Sequence, residues 1–380
     1  MRVVLVNVNS FGGNFSYSLA LAKAYSEKKE VESCTLIVPK NTYIQNISEK
    51  VFWKPILCND QPTIQNKWLR RFHFVYRALI GPMKLWWYLL MLPRSVVVFN
   101  DYEQATTLFW VPFFLILKRK HSLGVILHDP DRDAYMRWKP LSVLTMKCFM
   151  RIPHVAFYHE YLPSKSYYRI SIPFVNVPHG VYLHGLYDKK LFDDILFWKG
   201  NASLWVIPGN IREEKNYLAI IRALKKHPNS KLLIAGKLSS SRVNIDLYKT
   251  EAVKEMVSER IMWIEKFLSE EEFQSVIKVS DIVLLYYKDS FVSQSGILNI
   301  IAPHKKRLLT SKINSALSNM VAKYSLGVRA ELNDEKLSSA LAQLENEDNN
   351  NKTNNWDTYM NENSWKAHVE IALGFFNKKI

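Results

Sequence analysis

The amino-acid sequence predicts an α/β protein built from two Rossmann-like, doubly wound domains, and three observations carry that expectation. Short apolar runs recur along the 380 residues, separated by helical stretches and turns, the pattern of parallel sheets covered on both faces. One segment, SLWVIPGNIREEKNYLAIIRALKKHPNSKLLIAGK over 203–237, reads as strand, glycine turn, amphipathic helix and strand in succession. The length and the 48% hydrophobic content suffice for two cores of ordinary size.

The opening run MRVVLVNVNSFGG is too short in its apolar part for a secretory signal, so 3–8 reads as the first strand. Glycosylation-type triplets at 14–16 and 351–353 then count as chance matches. An amphipathic helix follows over 17–28 and a second strand over 33–38, completing a βαβ start. Further strands are expected at 95–99, 123–127, 154–158 and 173–177, then at 203–207, 231–235, 260–264, 282–286 and 307–310. The mixed charge and aromatics of 184–199 place the joint within 185–202, giving a first domain over 1–198 and a second over 199–355. The asparagine-rich stretch 346–355 reads as a flexible loop, and 356–376 as a last helical stretch.

The formal net charge of +16 and pI near 9.5 imply an anionic partner. Between Asp60 and Asp101 no acidic residue occurs, while Lys67, Arg70, Arg71, Arg77, Lys84 and Arg94 alternate with aromatic residues. Such a segment reads either as an element lying on an anionic membrane surface or as a helix pair with core aromatics and a solvated basic face. The apolar runs 85–92 and 107–117 fall short of the roughly 20 residues that cross a bilayer. No nucleic-acid-binding motif accompanies the charge, so no nucleic-acid partner is expected. Cys34, Cys58 and Cys148 lack metal-ligand spacing and suit a reducing, cytoplasmic setting.

Candidate site residues sit where predicted strands end. Gly209 and Asn210 open a turn that carries Arg212 and Lys215 to a helix start, a place where phosphate is stabilised. A plain solvated lysine beside the first-turn acids Glu213 and Glu214 is the alternative. Ser293, Gln294, Ser295 and Gly296 precede a helix expected from Ile297, offering hydroxyls and N–H groups to phosphate or simply capping the helix. Asp289 precedes that loop. Gly12, Gly13 and Asn14 follow the first strand, and either admit a ligand to the backbone or form a tight turn. His128 and His179 end two further strands, as functional groups or as locally satisfied histidines.

The turn Gly209-Asn210-Ile211 with Lys215, the stretch 293–311, IleLeuHisAspPro at 126–130 and ValProHisGly at 177–180 together resemble GT-B glycosyltransferases of the family 4 type, in the subset with a Ser-x-Ser-Gly donor helix. The resemblance implies two domains facing a cleft, an acceptor-binding first domain, and a final helix crossing back to it over 356–380. It implies a nucleotide diphosphate-sugar donor, a saccharide or polyprenyl-diphosphate-linked acceptor, retention of configuration, and Lys215 neutralising the leaving diphosphate. Surface polysaccharide biosynthesis is the implied setting, and the cysteines and the basic, aromatic segment put it in the cytoplasm, peripheral to the inner face of the membrane. By the same resemblance His128 reaches the reacting sugar, while the family arginine falls on Asn210, with Arg212 nearby to replace it. The two glutamates of the family fall near Ser293 and on Ile300 or Ile301, which keeps open a catalytically inactive scaffold subunit. Asp129, Asp131 and Asp133 have the D-x-D spacing of metal-dependent GT-A enzymes, but the two-domain pattern favours metal-independent transfer, with no metal or other cofactor.

Overall fold

The computed structural model describes residues 1–44, 49–61, 64–133, 135–183, 185–240, 243–347 and 353–377. The chain divides into two units, Met1–Gly180 with Asn363–Ile380, and Val181–Glu362. Each has its own parallel sheet and core.

In the first unit the strands are β1 (Arg2–Val6), β2 (Ser33–Pro39), β3 (Val51–Leu57), β4 (Val96–Phe99), β5 (Ser122–Leu127), β6 (Val155–Tyr158) and β7 (Phe174–Asn176). Among the described residues they lie in the order β3-β2-β1-β4-β5-β6-β7, all neighbours parallel. The Val- and Ile-rich strands β1, β4, β5 and β6 are buried on both faces, as a helix-covered parallel sheet requires. The helices are α1 (Gly13–Ser26), α2 (Lys67–Met91), α3 (Thr107–Leu117) and α4 (Lys139–Phe149).

The second unit opens with α5 (Lys189–Lys199) and continues with β8 (Ser203–Pro208), α6 (Tyr217–Lys225), β9 (Ser230–Ala235), α7 (Ile245–Lys254), β10 (Ile261–Ile264), α8 (Glu270–Val279) and β11 (Ile282–Leu285). There follow α9 (Gly296–Ile301), β12 (Arg307–Ser311), α10 (Ala316–Lys323), β13 (Val328–Ala330), α11 (Asp334–Asn346) and α12 (Thr353–Glu362). The strand order among the described residues is β10-β9-β8-β11-β12-β13, again parallel. A last helix, α13 (Trp365–Asn377), belongs to the first unit.

In each sheet the order reverses beside the first strand of the unit, at β1/β4 and at β8/β11. In doubly wound sheets ligands bind outside the strand C-termini at that switch point. The loops after β1, β4, β8 and β11 are therefore where function is sought.

Several expectations are corrected. Strands β3 and β13 were not foreseen: both are sheet edges, and β3 carries Pro55 and exposed Phe52 and Lys54, which dilute the apolar signal. The division falls at Gly180/Val181 rather than 198/199, because Ile195 of α5 packs on Leu204 and Val206 of the second sheet. The stretch 356–376 is two helices: Trp356 and Tyr359 pack in the second unit, Ser364 accepts from Ala367 N at 3.2 Å to start α13, and α13 packs in the first unit. Of the asparagine-rich segment, Asn346 ends α11 and Thr353 begins α12, while 348–352 lie outside the described residues, as does His184.

Candidate active-site regions at the two switch points

In the first unit the chain leaves β1 through Asn7 and Asn9 and reaches α1 at Gly12, whose φ of 84° is left-handed. A Cβ there would meet nothing within 4 Å, so the backbone angle rather than crowding calls for glycine. Gly13 likewise faces open space. The side-chain amides of Asn14 and Asn9 both donate to Asp101, which follows β4, at 3.1 and 2.5 Å.

Asn100 organises this corner. Its amide nitrogen donates to the Asn14 carbonyl at 3.0 Å and to Ser18 Oγ at 2.6 Å. That orientation leaves Oδ1 to accept from His128 Nε2 at 2.7 Å, so His128 is the Nε2–H tautomer with Nδ1 as its acceptor. Burial, then the neighbouring His159 and His179, hold the His128 pKa well below its ordinary value, and the ring is neutral. The sequence reading missed Asn100, although it stands directly after the strand VVVF.

His128 belongs to a group of histidines around the buried Tyr17. The Tyr17 ring centre lies 4.4 Å from that of His128, 5.0 Å from His179, 5.6 Å from His159 and 6.0 Å from His368. His159 Nδ1 donates to Val177 O and His368 Nδ1 to Pro178 O, both at 2.9 Å. Burial lowers His159 to about 4 and His179 and His368 to about 3. Trp365 closes the group over Gly180, where a Cβ would come within 2.0 Å of the indole. His128, His159 and His179 each follow a strand, so the regular placement of histidine after apolar runs was the available signal; His368 on α13 had none.

Asp131 and Asp133 are bridged by Lys165 at 2.9 and 3.0 Å, and those bonds lower the Asp133 pKa. Among the described residues no group of three or more His, Cys, Asp or Glu is placed to hold a metal ion.

In the second unit the turn after β8 is set by Gly209, at φ 81°, and by Gly236 after β9. A Cβ on Gly209 would meet Ile297 Cδ1 at 2.9 Å, and one on Gly236 would meet the Gly209 carbonyl oxygen at 2.4 Å. The turn is pinned by Ile211 N donating to Lys237 O at 2.8 Å and Asn216 N to Tyr286 O at 3.0 Å. These bonds fold Lys215 inward, leaving the residue 3% exposed. Its Nζ donates to Pro208 O at 2.7 Å and Gly209 O at 2.9 Å. No carboxylate bonds it among the described residues, and burial, reinforced by Arg212, lowers its pKa to about 7. Arg212 itself is exposed. The structure thus brings Gly209, Asn210, Lys215 and Ile297 together at one strand end.

The 293–296 loop departs from the expected cap. Helix α9 begins at Gly296, and Ser295 at the N-cap makes no cap bond; its hydroxyl faces Tyr287 OH at 3.4 Å instead. Ser293 is partly buried and its carbonyl accepts from Leu317 N at 3.4 Å. Both amide atoms of Gln294 are sealed from solvent without a hydrogen-bond partner among the described residues. Asp289 is exposed in the turn before the loop. Ile301 is fully buried in the core and Ile300 half-buried, so α9 is apolar at both positions where the resemblance implies a carboxylate.

No family model and no curated protein matches the sequence. Solved structures do match along its whole length. The crystal structure of Anabaena Alr3699/HepE in complex with UDP-glucose aligns at TM-score 0.70 and 10% identity, covering 99% of this chain and 100% of that one. A trehalose-6-phosphate synthase, OtsA, aligns at 0.69 and 11%, covering 100% of this chain and 98% of that one. A glycosyltransferase from Rickettsia africae ESF-5 aligns at 0.66 and 13%, covering 99% and 98%. At such identities the likeness is one of fold, and the fold of this chain is GT-B.

Proposed function

We propose that the chain is a glycosyltransferase that moves a sugar from a nucleotide diphosphate-sugar to a hydroxyl of a glycan or lipid-linked saccharide. The carrying observation is Lys215, whose amino group is buried at the second switch point on two carbonyls, with no carboxylate bonded to it among the described residues. An ammonium has three donors, so one remains for a ligand, and a diphosphate would supply the missing counter-charge. Exposed Arg212 adds a second cation, and the buried Gln294 amide, without a partner among the described residues, precedes α9, whose Ile297 lies beside Gly209. Stabilising the leaving diphosphate with such fixed charges is the kind of electrostatic assistance that acts most strongly away from water.

On the acceptor side the neutral His128 presents Nδ1 as an acceptor for a sugar hydroxyl, held in place by Asn100. Gly12, Gly13 and Asn14 line the first switch point, and His179 stands in the same histidine group. Asp289 is assigned to donor hydroxyls. The transfer is assigned as metal-independent because Asp131 and Asp133 are already engaged by Lys165, and Asp133 by Lys139 as well. Retention of configuration, membership of the family 4-like group with the Ser-x-Ser-Gly helix, and a place in surface polysaccharide biosynthesis complete the reading.

Calorimetry with UDP and GDP tests it. Lys215→Ala should weaken nucleotide binding tenfold or more, since a charge-assisted contact is worth roughly 1.5–3 kcal/mol, and transfer from a nucleotide-sugar should persist in excess EDTA. Unchanged affinity for both nucleotides removes the assignment of Lys215. Binding without turnover for any sugar donor favours an inactive GT-B-like subunit, the reading to which the apolar flank of α9 lends support.

A further inference from the structure

Helix α3 has the sequence TLFWVPFFLIL, without a charged residue and apolar on every side. Only one side is covered: Trp110, Val111, Phe114 and Leu117 are buried, whereas Phe109 is 68% and Ile116 57% exposed. An all-apolar helix belongs in a core or in lipid, and the core covers only one side of this one. Helix α2 beside it bears two apolar stripes. Ala78, Gly81, Leu85 and Leu89 are buried, and on the opposite side Leu69, Phe72, Tyr76, Ile80, Met83 and Trp87 recur at spacings of three and four. Of this second stripe Leu69, Phe72, Tyr76 and Trp87 are exposed.

The two helices are fixed to each other by Thr106 Oγ1 donating to Ala78 O at 2.5 Å and by the Trp86 and Phe113 rings at 5.4 Å. Beside the stripe, Ile56 of β3 and Met83, Trp87 and Met91 of α2 line a groove of about 600 Å³, with Lys84 in its wall. Neither helix contains an acidic residue; exposed Lys67, Arg70 and Arg71 open α2, and Lys118, Arg119 and Lys120 follow α3. None of the helices among the described residues is long and apolar enough to cross a membrane.

We propose that the paired surface of α2 and α3 is a docking face for an anionic lipid bilayer. Phe109, Ile116 and Trp87 enter the headgroup–acyl boundary, and Arg70, Arg71 and Arg119 pair with lipid phosphates. Apolar residues without acids, ringed by lysine and arginine, match the chemistry of that boundary and no other surface so closely. This goes beyond glycosyl transfer and does not depend on it. It also enlarges the sequence expectation, which was confined to 67–94.

The test is co-sedimentation of the full chain with vesicles of phosphatidylcholine alone or mixed with phosphatidylserine. The wild type should pellet with the anionic vesicles and be released by raised salt. Arg70→Glu with Arg71→Glu, and separately Phe109→Ser with Ile116→Ser, should each lower partitioning at least about tenfold, with circular dichroism and Tm unchanged to show intact folding. Brominated lipid should quench tryptophan emission of the wild type. Equal pelleting of all three proteins, or a salt-stable dimer in sedimentation equilibrium that Phe109→Ser with Ile116→Ser abolishes, overturns the proposal.

Discussion

At the scale of single residues, two polar groups decide how each switch point is set. Asn100 serves three partners at once, using the two donors and the acceptor of its planar carboxamide. Asn100→Ala should leave His128 Nε2–H unpaired, at a cost of about 1–3 kcal/mol, while Ser18 Oγ and the Asn14 carbonyl keep the bond they make to each other; urea denaturation measures it. Lys215 gives a pH signature. With its pKa lowered to about 7, the free site is mostly uncharged above that pH, whereas a bound diphosphate favours the ammonium. Nucleotide binding should therefore take up a proton above pH 7, and affinity should fall as pH rises, by up to about tenfold per unit. Calorimetry in buffers of different ionisation enthalpy reads the proton uptake directly, and Lys215→Ala should abolish it.

Among elements, the turn after β8 and the turn before α1 look alike in sequence and differ in what they require. Gly236 lies against the Gly209 carbonyl, a backbone atom that cannot move without opening the turn that holds Lys215. Gly236→Ala should destabilise the protein by more than about 1–3 kcal/mol and weaken nucleotide binding with it. Gly13 has free space and no positive φ, and Gly13→Ala at the first helical position should be neutral or stabilising by about 0.4–1 kcal/mol. Thermal melts of the two variants distinguish a crowded glycine from a merely permissive one. Helix α9 makes a similar point: the Ser-Gln-Ser-Gly sequence reads as a cap, but the Ser295 hydroxyl is turned to Tyr287.

For the molecule as a whole, the histidine group should make the first unit acid-labile. His159, His179 and His368 are held neutral in the folded state, at about 4, 3 and 3, while in the unfolded chain they protonate near 6.5. Between those values the unfolded chain binds more protons, so stability falls as pH drops below about 6.5. Each histidine can account for up to about 2 kcal/mol by pH 5. Urea denaturation at pH 7.5 and pH 5 should show the loss, and His368→Gln, which keeps the donor to Pro178, should lessen it; stability independent of pH over this range would refute the account.

Apolar runs of four to six residues with turns between them were enough to give the doubly wound class and the approximate place of nearly every interior strand, because a strand buried on both faces must be apolar throughout. The same runs fixed where strand C-termini lie, and hence where Gly12, His128, His179, Gly209 and Lys215 stand. The edge strands β3 and β13 were illegible because half of an edge faces water and carries polar residues or proline. Nor could local pattern show that Lys215 turns inward onto two carbonyls, that Asn100 holds His128, or that α13 brings His368 and Trp365 to Tyr17 from more than 340 positions away in the chain. Those contacts are decided by burial and hydrogen bonding between segments distant in sequence, which leave no periodic trace in the residues themselves.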